Sequence, residues 1–333
     1  MRSTLSTLCS NFIENRDVIK SDYIFESSYM YPVAAAIFTG AHQRADSARL
    51  KEAEYILKDN TGIFSNFRGT LKLPMIALLA VSQNPEEKMR NAMDVYRRLK
   101  ELFWTSTYLP VASMVIADLV APQEYSAVAA RTRHIYELMK GEHPFLTSAE
   151  DSVFAALLAL SDLTDEQIVA ETEYCYQLLN GEFWSGNSVQ SLSHVLAMGQ
   201  GSPEAKCRKT IELYQTLKEN GMRYGRQYEL ATLGVLALLP VGVDGLMMDM
   251  AEVDEFLSGQ RGYGFFGVGR KQRLMHAAML VASNYTSEEP NHTIMNSAAL
   301  NSTIALIIAQ EMAICATIAA SSAAAVAHSA ANS

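Results

Sequence analysis

The strongest constraint on the fold is a segment that recurs about every forty residues. An apolar-faced stretch whose last apolar residue is Leu or Met, such as "VYRRLKE" or "CYQLLNG", occurs six times in the 333 residues. Successive copies of that last apolar residue are 42, 40, 40, 38 and 40 residues apart. Its last apolar residues are Leu57, Leu99, Met139, Leu179, Leu217 and Leu257. This period is typical of stacked helical hairpins, because one hairpin of this length cannot bury its apolar faces alone.

A second kind of segment alternates with the first. Stretches such as "LPVASMVIADLV" and "SVFAALLALSD" are about ten residues long and rich in Ala, Leu and Met, which favours a buried helix over a strand. The first kind instead shows a one-sided stripe, for example Ile168, Thr172, Cys175 and Leu179, which predicts an amphipathic outer helix. We therefore predict an all-α protein of six or seven hairpins. The period is compatible with both an open α-solenoid and a closed α/α toroid.

Local signals at the ends of the predicted helices support this interpretation. Thr164 and Gln167 form the Thr-x-x-Gln pattern of a capping box, and Pro110 stands near the start of an apolar helix. Glycines follow the amphipathic helices, where a left-handed C-cap favours them. These are Gly141, Gly181, Gly221 and Gly259.

The stretch "GQRGYGFFGVGR", residues 259–270, contains the spacing G-x-G-x-x-G. A dinucleotide site requires these glycines between a strand and a helix, whereas here they follow a predicted helix, so we interpret the stretch as a loop. The equivalent loops combine aromatic and small residues, and we predict that the rings wedge between adjacent hairpins. These aromatics are Phe64, Phe67, Phe103, Trp104, Phe145, Phe183, Trp184, Tyr224, Phe265 and Phe266.

Two neighbouring loops concentrate positive charge at the start of two apolar helices. Helix N-termini favour anions, so this cluster is a candidate site for a phosphate or carboxylate. A cluster of solvated or ion-paired side chains is the alternative. The residues are Arg223, Arg226, Arg261, Arg270, Lys271 and Arg273.

Other sequence patterns predict no catalytic set, metal site or cofactor. The seven histidines show no metal-ligand spacing, and we expect His194 and His276 to be hydrogen-bonded core residues. Three residues are candidate buried carboxylates: Asp118, and Glu150 and Asp151, which are adjacent to each other in the sequence. Each is either an acid of raised pKa or the partner of a helix end or an arginine. The nucleophile-elbow and P-loop motifs do not occur in the sequence.

Charge and cysteine usage limit the class of protein. The net charge of −9 disfavours nucleic acid as a partner, because such proteins displace counterions with a basic surface. The four cysteines lie far apart, which indicates reduced thiols in the cytoplasm. The first twenty residues lack the apolar core of a secretory signal and are interpreted as a first helix.

Composition divides the chain into residues 1–291, the helical-hairpin domain, and residues 292–333, an Ala-rich C-terminal helix with a frayed tail. Glu311 lies in the most apolar part of that tail and disfavours membrane insertion. We expect the C-terminal helix to pack closely, either against the hairpins or against a second copy to form a homodimer.

The chain resembles a family of bacterial proteins of unknown function, DUF4003. The similar segments are "GIFSNFRG" at 62–69, "VQSLSHVLAM" at 189–198, the repeated "YxxL" helix ends and "ALIIAQEMAICATIAA" at 305–320. The resemblance spans roughly residues 10–325. It implies a cytoplasmic bacterial protein and no activity, cofactor or residue role.

These observations leave two classes of function. The first is a non-enzymatic scaffold whose surface binds a protein or peptide, which stacked hairpins readily provide. The alternative is a protein that binds a small anion or metabolite, or an enzyme, with a pocket inside a closed toroid.

Overall fold

A computed structural model describes residues 1–227, 229–263 and 268–288. Those residues form fourteen α-helices and two short 3-10 turns and contain no strand, which confirms the prediction of an all-α protein. The helices are α1 (Ser3–Asp22), α2 (Met30–Gly40), α3 (Ser47–Asn60), α4 (Lys72–Ala80), α5 (Pro85–Leu102), α6 (Leu109–Leu119), α7 (Tyr125–Glu142), α8 (Asp151–Ala159), α9 (Asp165–Leu179), α10 (Gly186–Ala197), α11 (Pro203–Glu219), α12 (Leu230–Leu238), α13 (Val243–Ser258) and α14 (Arg270–Glu288). The 3-10 turns are Asn66–Arg68 and Pro122–Glu124.

Long amphipathic helices alternate with shorter buried ones. The odd-numbered helix α5 buries a single stripe of apolar side chains and exposes its charged face. The even-numbered helix α8 is buried at every residue from Asp151 to Ala159. This difference matches the sequence, since a stripe at helical spacing buries one side, whereas a continuous run of Ala and Leu allows burial on all sides.

Each odd-numbered helix packs against the even-numbered helix that follows it, and consecutive odd-numbered helices also pack together. The last helix, α14, contacts α12 and α13 and also the first two helices, α1 and α2. Arg2 donates a hydrogen bond to Asp249 of α13 over 2.7 Å, and the Tyr285 hydroxyl of α14 donates to the same carboxylate over 2.6 Å. The beginning and the end of the described chain are therefore in contact.

The interior is one continuous apolar cluster that extends from Leu5 to Ala282. Full burial of a large aliphatic or aromatic side chain contributes about 1.5–3 kcal/mol to stability. Helices α10 and α12 approach closely at Gly234, where a Cβ atom would lie 2.6 Å from Leu192 Cδ1 and 3.2 Å from Val195 Cγ1. The glycine lowers helix propensity but allows this contact.

The local signals are partly confirmed. Thr164 and Gln167 form the predicted capping box at the start of α9, and Pro110 is near the start of α6. Only Gly221 has the predicted left-handed conformation, with φ of +77°. The prediction is wrong for Gly141, Gly181 and Gly259. Helix α7 continues through Gly141, and the Gly259 amide still bonds back to Glu255 with φ of −80°.

The predicted C-terminal helix and tail, residues 292–333, lie outside the described residues, as do Phe265 and Phe266. Within the part of the chain that is described, no helix combines the length and apolarity needed to cross a bilayer. The glycine-rich stretch lies between α13 and α14, as predicted, although positions 264–267 are not described.

Candidate functional site

The loops that lead from each odd-numbered helix to the next even-numbered helix lie at one end of the molecule, here called the loop face. Neighbouring loops touch one another there. Asn66 Nδ2 donates to the Ser106 carbonyl over 2.8 Å, which joins the second loop to the third. Gln190, in the first turn of α10, donates to Thr147 Oγ1 of the fourth loop over 2.9 Å. These contacts join the second loop to the third and the fourth loop to the helix that follows the fifth.

Several loop aromatics wedge between helices as predicted. Each of three buried phenylalanines packs its edge against a tyrosine near the end of the next odd-numbered helix. The pairs are Phe67 with Tyr96, Phe103 with Tyr136 and Phe183 with Tyr214, with ring centroids 5.0, 5.3 and 5.2 Å apart. Tyr224 is also buried, and its hydroxyl bonds to Thr232 Oγ1 over 2.5 Å.

The wedge prediction is wrong for Phe64, Trp104, Phe145 and Trp184, which are exposed to solvent by 95, 94, 98 and 91%. A backbone effect explains one case. Phe103 is in an extended conformation, with φ of −121° and ψ of 151°. Successive side chains of an extended chain point to opposite sides, so Trp104 points outward when Phe103 points inward.

Sequence reasoning missed a fifth exposed aromatic, Phe25 in the loop between α1 and α2, which is 97% exposed. Ile19 is the last buried residue of α1, and Phe25 follows it by the same interval that separates Met139 from Phe145. After each of the first five odd-numbered helices an exposed aromatic follows the last buried apolar residue of the helix by five to seven residues, and in α1 that apolar residue is an Ile instead of the Leu or Met of the repeat. Phe25, Phe64, Trp104, Phe145 and Trp184, one in each of five consecutive loops, are here called the exposed aromatic row.

The six basic residues predicted as an anion patch lie in the two loops that follow the row or at the start of α14. Arg273 forms a bidentate ion pair with Asp254 of α13, with distances of 2.6 and 3.2 Å. Arg226 donates to the Tyr214 hydroxyl over 2.5 Å and stacks on that ring. The other four, Arg223, Arg261, Arg270 and Lys271, are exposed. Arg273 is thus held against α13 and Arg226 against α11.

A cleft of about 190 Å³ lies beside Arg226, between α11 and the loop after α9. Lys218 and Arg226 supply two positive charges to its wall, whereas Glu182 supplies a negative one. Phe183 and Tyr214 form much of the remaining wall. The cleft is large enough for a small ion, and its charges are mixed.

Directly beneath the loop face is a layer of buried polar groups. Asp151, 1% exposed, accepts a hydrogen bond from the Ser148 amide over 2.7 Å and so ties the fourth loop to the start of α8. Burial raises the pKa of Asp151 to about 7, although the Ser148 amide opposes this shift. Asp118 is different: it is exposed and pairs with Lys88 over 2.7 Å, so its predicted burial is wrong.

Two buried histidines lie beneath the same end. His276 fulfils the prediction of a hydrogen-bonded core residue, with Nδ1 2.9 Å from the Tyr263 hydroxyl. His194 is equally buried, but its Nδ1 has no hydrogen bond and lies 3.8 Å from Asp151 Oδ1. Burial lowers the pKa of each histidine to about 3, with smaller effects of His143 on His194 and of Arg16 on His276. Both are therefore neutral near pH 7.

These buried groups hold the loops and provide no access for a substrate. The cavity bordered by Gln190, Ser193 and His194 has a volume of about 10 Å³, close to that of one water molecule. Among the described residues, no group of three or more His, Cys, Asp or Glu side chains is arranged to hold a metal ion.

Comparisons with known proteins place the chain among bacterial relatives. It is similar to a protein of Bacillus subtilis (strain 168) named "Uncharacterized protein YeaA", with 26% identity over 202 residues. The match covers 58% of this chain and 60% of that protein, which is less than two thirds of its length. No solved structure matches the chain. The family whose sequence model matches residues 15–313 is described as "Protein of unknown function (DUF4003)", and this match confirms that the chain belongs to it.

Proposed function

We propose that this protein is a non-enzymatic scaffold that binds a protein partner through its loop face. The exposed aromatic row is the single observation that carries the proposal. Single exposed apolar residues are common on soluble proteins, but here one exposed aromatic stands in each of five consecutive loops, and exposed apolar groups gathered on one face are found at interaction sites. Aromatic side chains are also enriched in protein interfaces.

The proposal includes a closed ring of seven helical hairpins, each formed by an odd-numbered helix and the next even-numbered one. Support comes from the packing of α14 against α1 and α2 and from two ion pairs. Arg2 pairs with Asp249 over 2.7 Å, and the Met1 amino group pairs with Glu252 over 2.9 Å. The even-numbered helices form the inner layer of this ring. Their side chains fill the interior, which favours a function on the loop face over one inside the ring.

We place the protein in the cytoplasm. The thiols of Cys9, Cys175 and Cys207 are free and buried, as expected for a chain that folds in a reducing compartment. Burial raises the pKa of the Cys9 thiol to about 12, so this thiol is uncharged and unreactive at neutral pH.

The test compares partner capture by three forms of the full chain in the native bacterium. Phe64→Ser/Phe145→Ser removes two rings of the row. Tyr55→Ser/Met248→Ser is the matched control, because these exposed apolar residues lie on α3 and α13. We expect a partner that the wild type and the control retain and the row variant loses. Equal capture by all three forms would contradict the proposal.

A small anion is the second candidate ligand, and the cleft beside Lys218 and Arg226 favours it. Phosphate or sulfate binding there would raise the melting temperature of the folded protein. Lys218→Glu/Arg226→Glu should abolish this rise, whereas Arg44→Glu, an exposed arginine near the opposite end, should leave it unchanged. A melting temperature that does not respond to either anion would exclude this candidate.

A further inference from the structure

The exposed aromatic row has the size that a stable protein interface needs. A phenylalanine or tryptophan buries about 150–250 Å² when it is fully covered. Five such residues therefore offer roughly 750–1,250 Å² on one chain, whereas an interface of standard size buries about 800 Å² on each partner. The side chains are 91–98% exposed, so nearly all of this area is available.

Exposed lysines and carboxylates occur together around the first four loops of the row, whereas the chain near the end of the fifth odd-numbered helix carries the exposed Glu182 and no lysine. Near the end of each of the first four odd-numbered helices, one exposed lysine is followed within two residues by one exposed carboxylate. The pairs are Lys20 with Asp22, Lys58 with Asp59, Lys100 with Glu101 and Lys140 with Glu142. An anionic membrane or a strongly acidic partner would be matched by an excess of basic residues. A balanced surface is instead complementary to itself.

We propose that the exposed aromatic row is the interface between two copies of this chain, related by a two-fold axis. This inference rests on the proposed function and names the partner of the same surface. A two-fold interface brings the same patch of both copies together. It lets the aromatic rings pair with one another and each lysine meet a carboxylate of the other copy. The whole-chain charge of −9 opposes association of two copies at long range, and salt screens this repulsion, so dimerisation should strengthen as ionic strength rises.

We place the two-fold axis across the row at its middle loop, which reverses the order of the five loops in the second copy. Trp104, in the middle loop, then lies next to the axis. Phe25 of one copy faces Trp184 of the other, and Phe64 faces Phe145.

Intrinsic tryptophan fluorescence can detect this contact, because Trp104 and Trp184 are the two tryptophans of the chain and both belong to the row. Sedimentation velocity of the full chain from about 1 to about 100 μM, the range of moderate affinities, measures the mass directly. We expect the mass to rise from 36.7 kDa toward twice that value. Tryptophan emission should shift to shorter wavelength over the same range as the indole rings leave water.

Phe64→Ser/Phe145→Ser keeps both tryptophans and removes two rings that the fold does not bury. We expect at least tenfold weaker dimerisation, with an unchanged circular dichroism spectrum and melting temperature. The matched control, Tyr55→Ser/Met248→Ser, should dimerise as the wild type does. Equal dimerisation of the row variant and the control would overturn the inference and assign the contact to another surface.

Two further outcomes separate this inference from the proposed function. A wild-type mass of one chain at about 100 μM overturns the second copy as partner. Row-dependent capture of a different protein would then leave the proposed function standing. A monomer whose tryptophan emission shifts only on addition of vesicles of mixed neutral and anionic phospholipid would overturn both, and would assign the row to a membrane surface.

Discussion

The surface of the loop face and the layer directly beneath it use their residues in opposite ways. On the surface, the apolar rings of Trp104 and Trp184 are exposed to water. Beneath them, the titratable side chains of Asp151 and His194 are buried. Burial of the carboxyl and imidazole groups costs stability, whereas rings exposed in both the folded and the unfolded chain cost little. Asp151 accepts a hydrogen bond from the Ser148 amide and so ties the fourth loop to the start of α8. We therefore predict that substitutions beneath the loop face change stability, whereas substitutions of the exposed rings do not.

The largest change in stability is expected where the buried layer and the exposed row meet in the sequence, at Phe183 and Trp184. Phe183→Ala should lower the free energy of unfolding by about 3–5 kcal/mol, because it leaves a cavity against Tyr214. Trp184→Ala, one residue later, should change it by less than about 0.5 kcal/mol, since that ring is exposed. Urea denaturation of both variants measures the difference. Similar losses in the two would show that the outer rings also belong to the core.

Asp151→Asn tests the cost of burying a carboxyl group. The folded-state pKa of about 7 lies above the usual 3.8, so the group disfavours folding progressively as the pH rises from about 4 to about 7. The variant retains an oxygen that accepts the Ser148 amide. We expect it to gain stability relative to the wild type across this range, on the order of 4 kcal/mol above pH 7. Parallel pH profiles of the two proteins would contradict the raised pKa.

The histidines of the same layer give the opposite slope. Their folded-state pKa values, about 3, lie below the usual 6.5. The stability that depends on neutral His194 and His276 is therefore complete above about pH 6.5 and lost as the pH falls toward 3. The pH profile of Asp151→Asn should keep this loss at low pH, which separates the two effects in one experiment.

Tyr263→Phe compares the two histidines. It removes the hydroxyl bonded to His276 Nδ1 and leaves a buried nitrogen without a partner, as His194 Nδ1 already is. We expect a loss of about 1–3 kcal/mol in the free energy of unfolding. Tyr176→Phe serves as the control, because its ring packs on His143 at the loop face. An equal loss in the two variants would show that the His276 contact has no special weight.

The smallest effect is expected at the opposite end of the molecule. Thr164 is an exposed polar cap that accepts the Gln167 amide over 3.2 Å, so it represents the ordinary use of a polar residue. Thr164→Ala should cost about 1 kcal/mol, measured by thermal or urea unfolding. A loss as large as that of Phe183→Ala would remove the contrast between the ends of the molecule.

Much of the fold was predictable because helices are specified locally. The stripe through Ile168 and Leu179, the apolar run of α8 and the Thr164 cap each depend on residues within a few turns of one another. The site was less predictable. Phe103 and Trp104 are neighbours of similar chemistry, yet one is buried and the other is exposed. The burial of Phe103 depends on Tyr136, which lies 33 residues further along the chain and packs against its ring.

The same limit applies to the charged residues. Arg273 and Arg270 belong to one basic cluster in the sequence, but Asp254 of the preceding helix pairs with the first and leaves the second exposed. Asp118 was expected to be buried because its helix is apolar, whereas it lies near the end of that helix, within reach of Lys88. Such pairings join separate helices, so no local pattern specifies them.

The sequence by itself determined the helical class, the alternation of amphipathic and buried helices and the places where most helices begin, because hydrophobic periodicity and capping act over a few residues. Only the tertiary structure decided which loop aromatics are exposed to water and which carboxyl and imidazole groups are buried. It also decided that α14 packs against α1 and α2. The physical reason is that burial and ion pairing are properties of the space between helices, and that space exists only after the helices have packed.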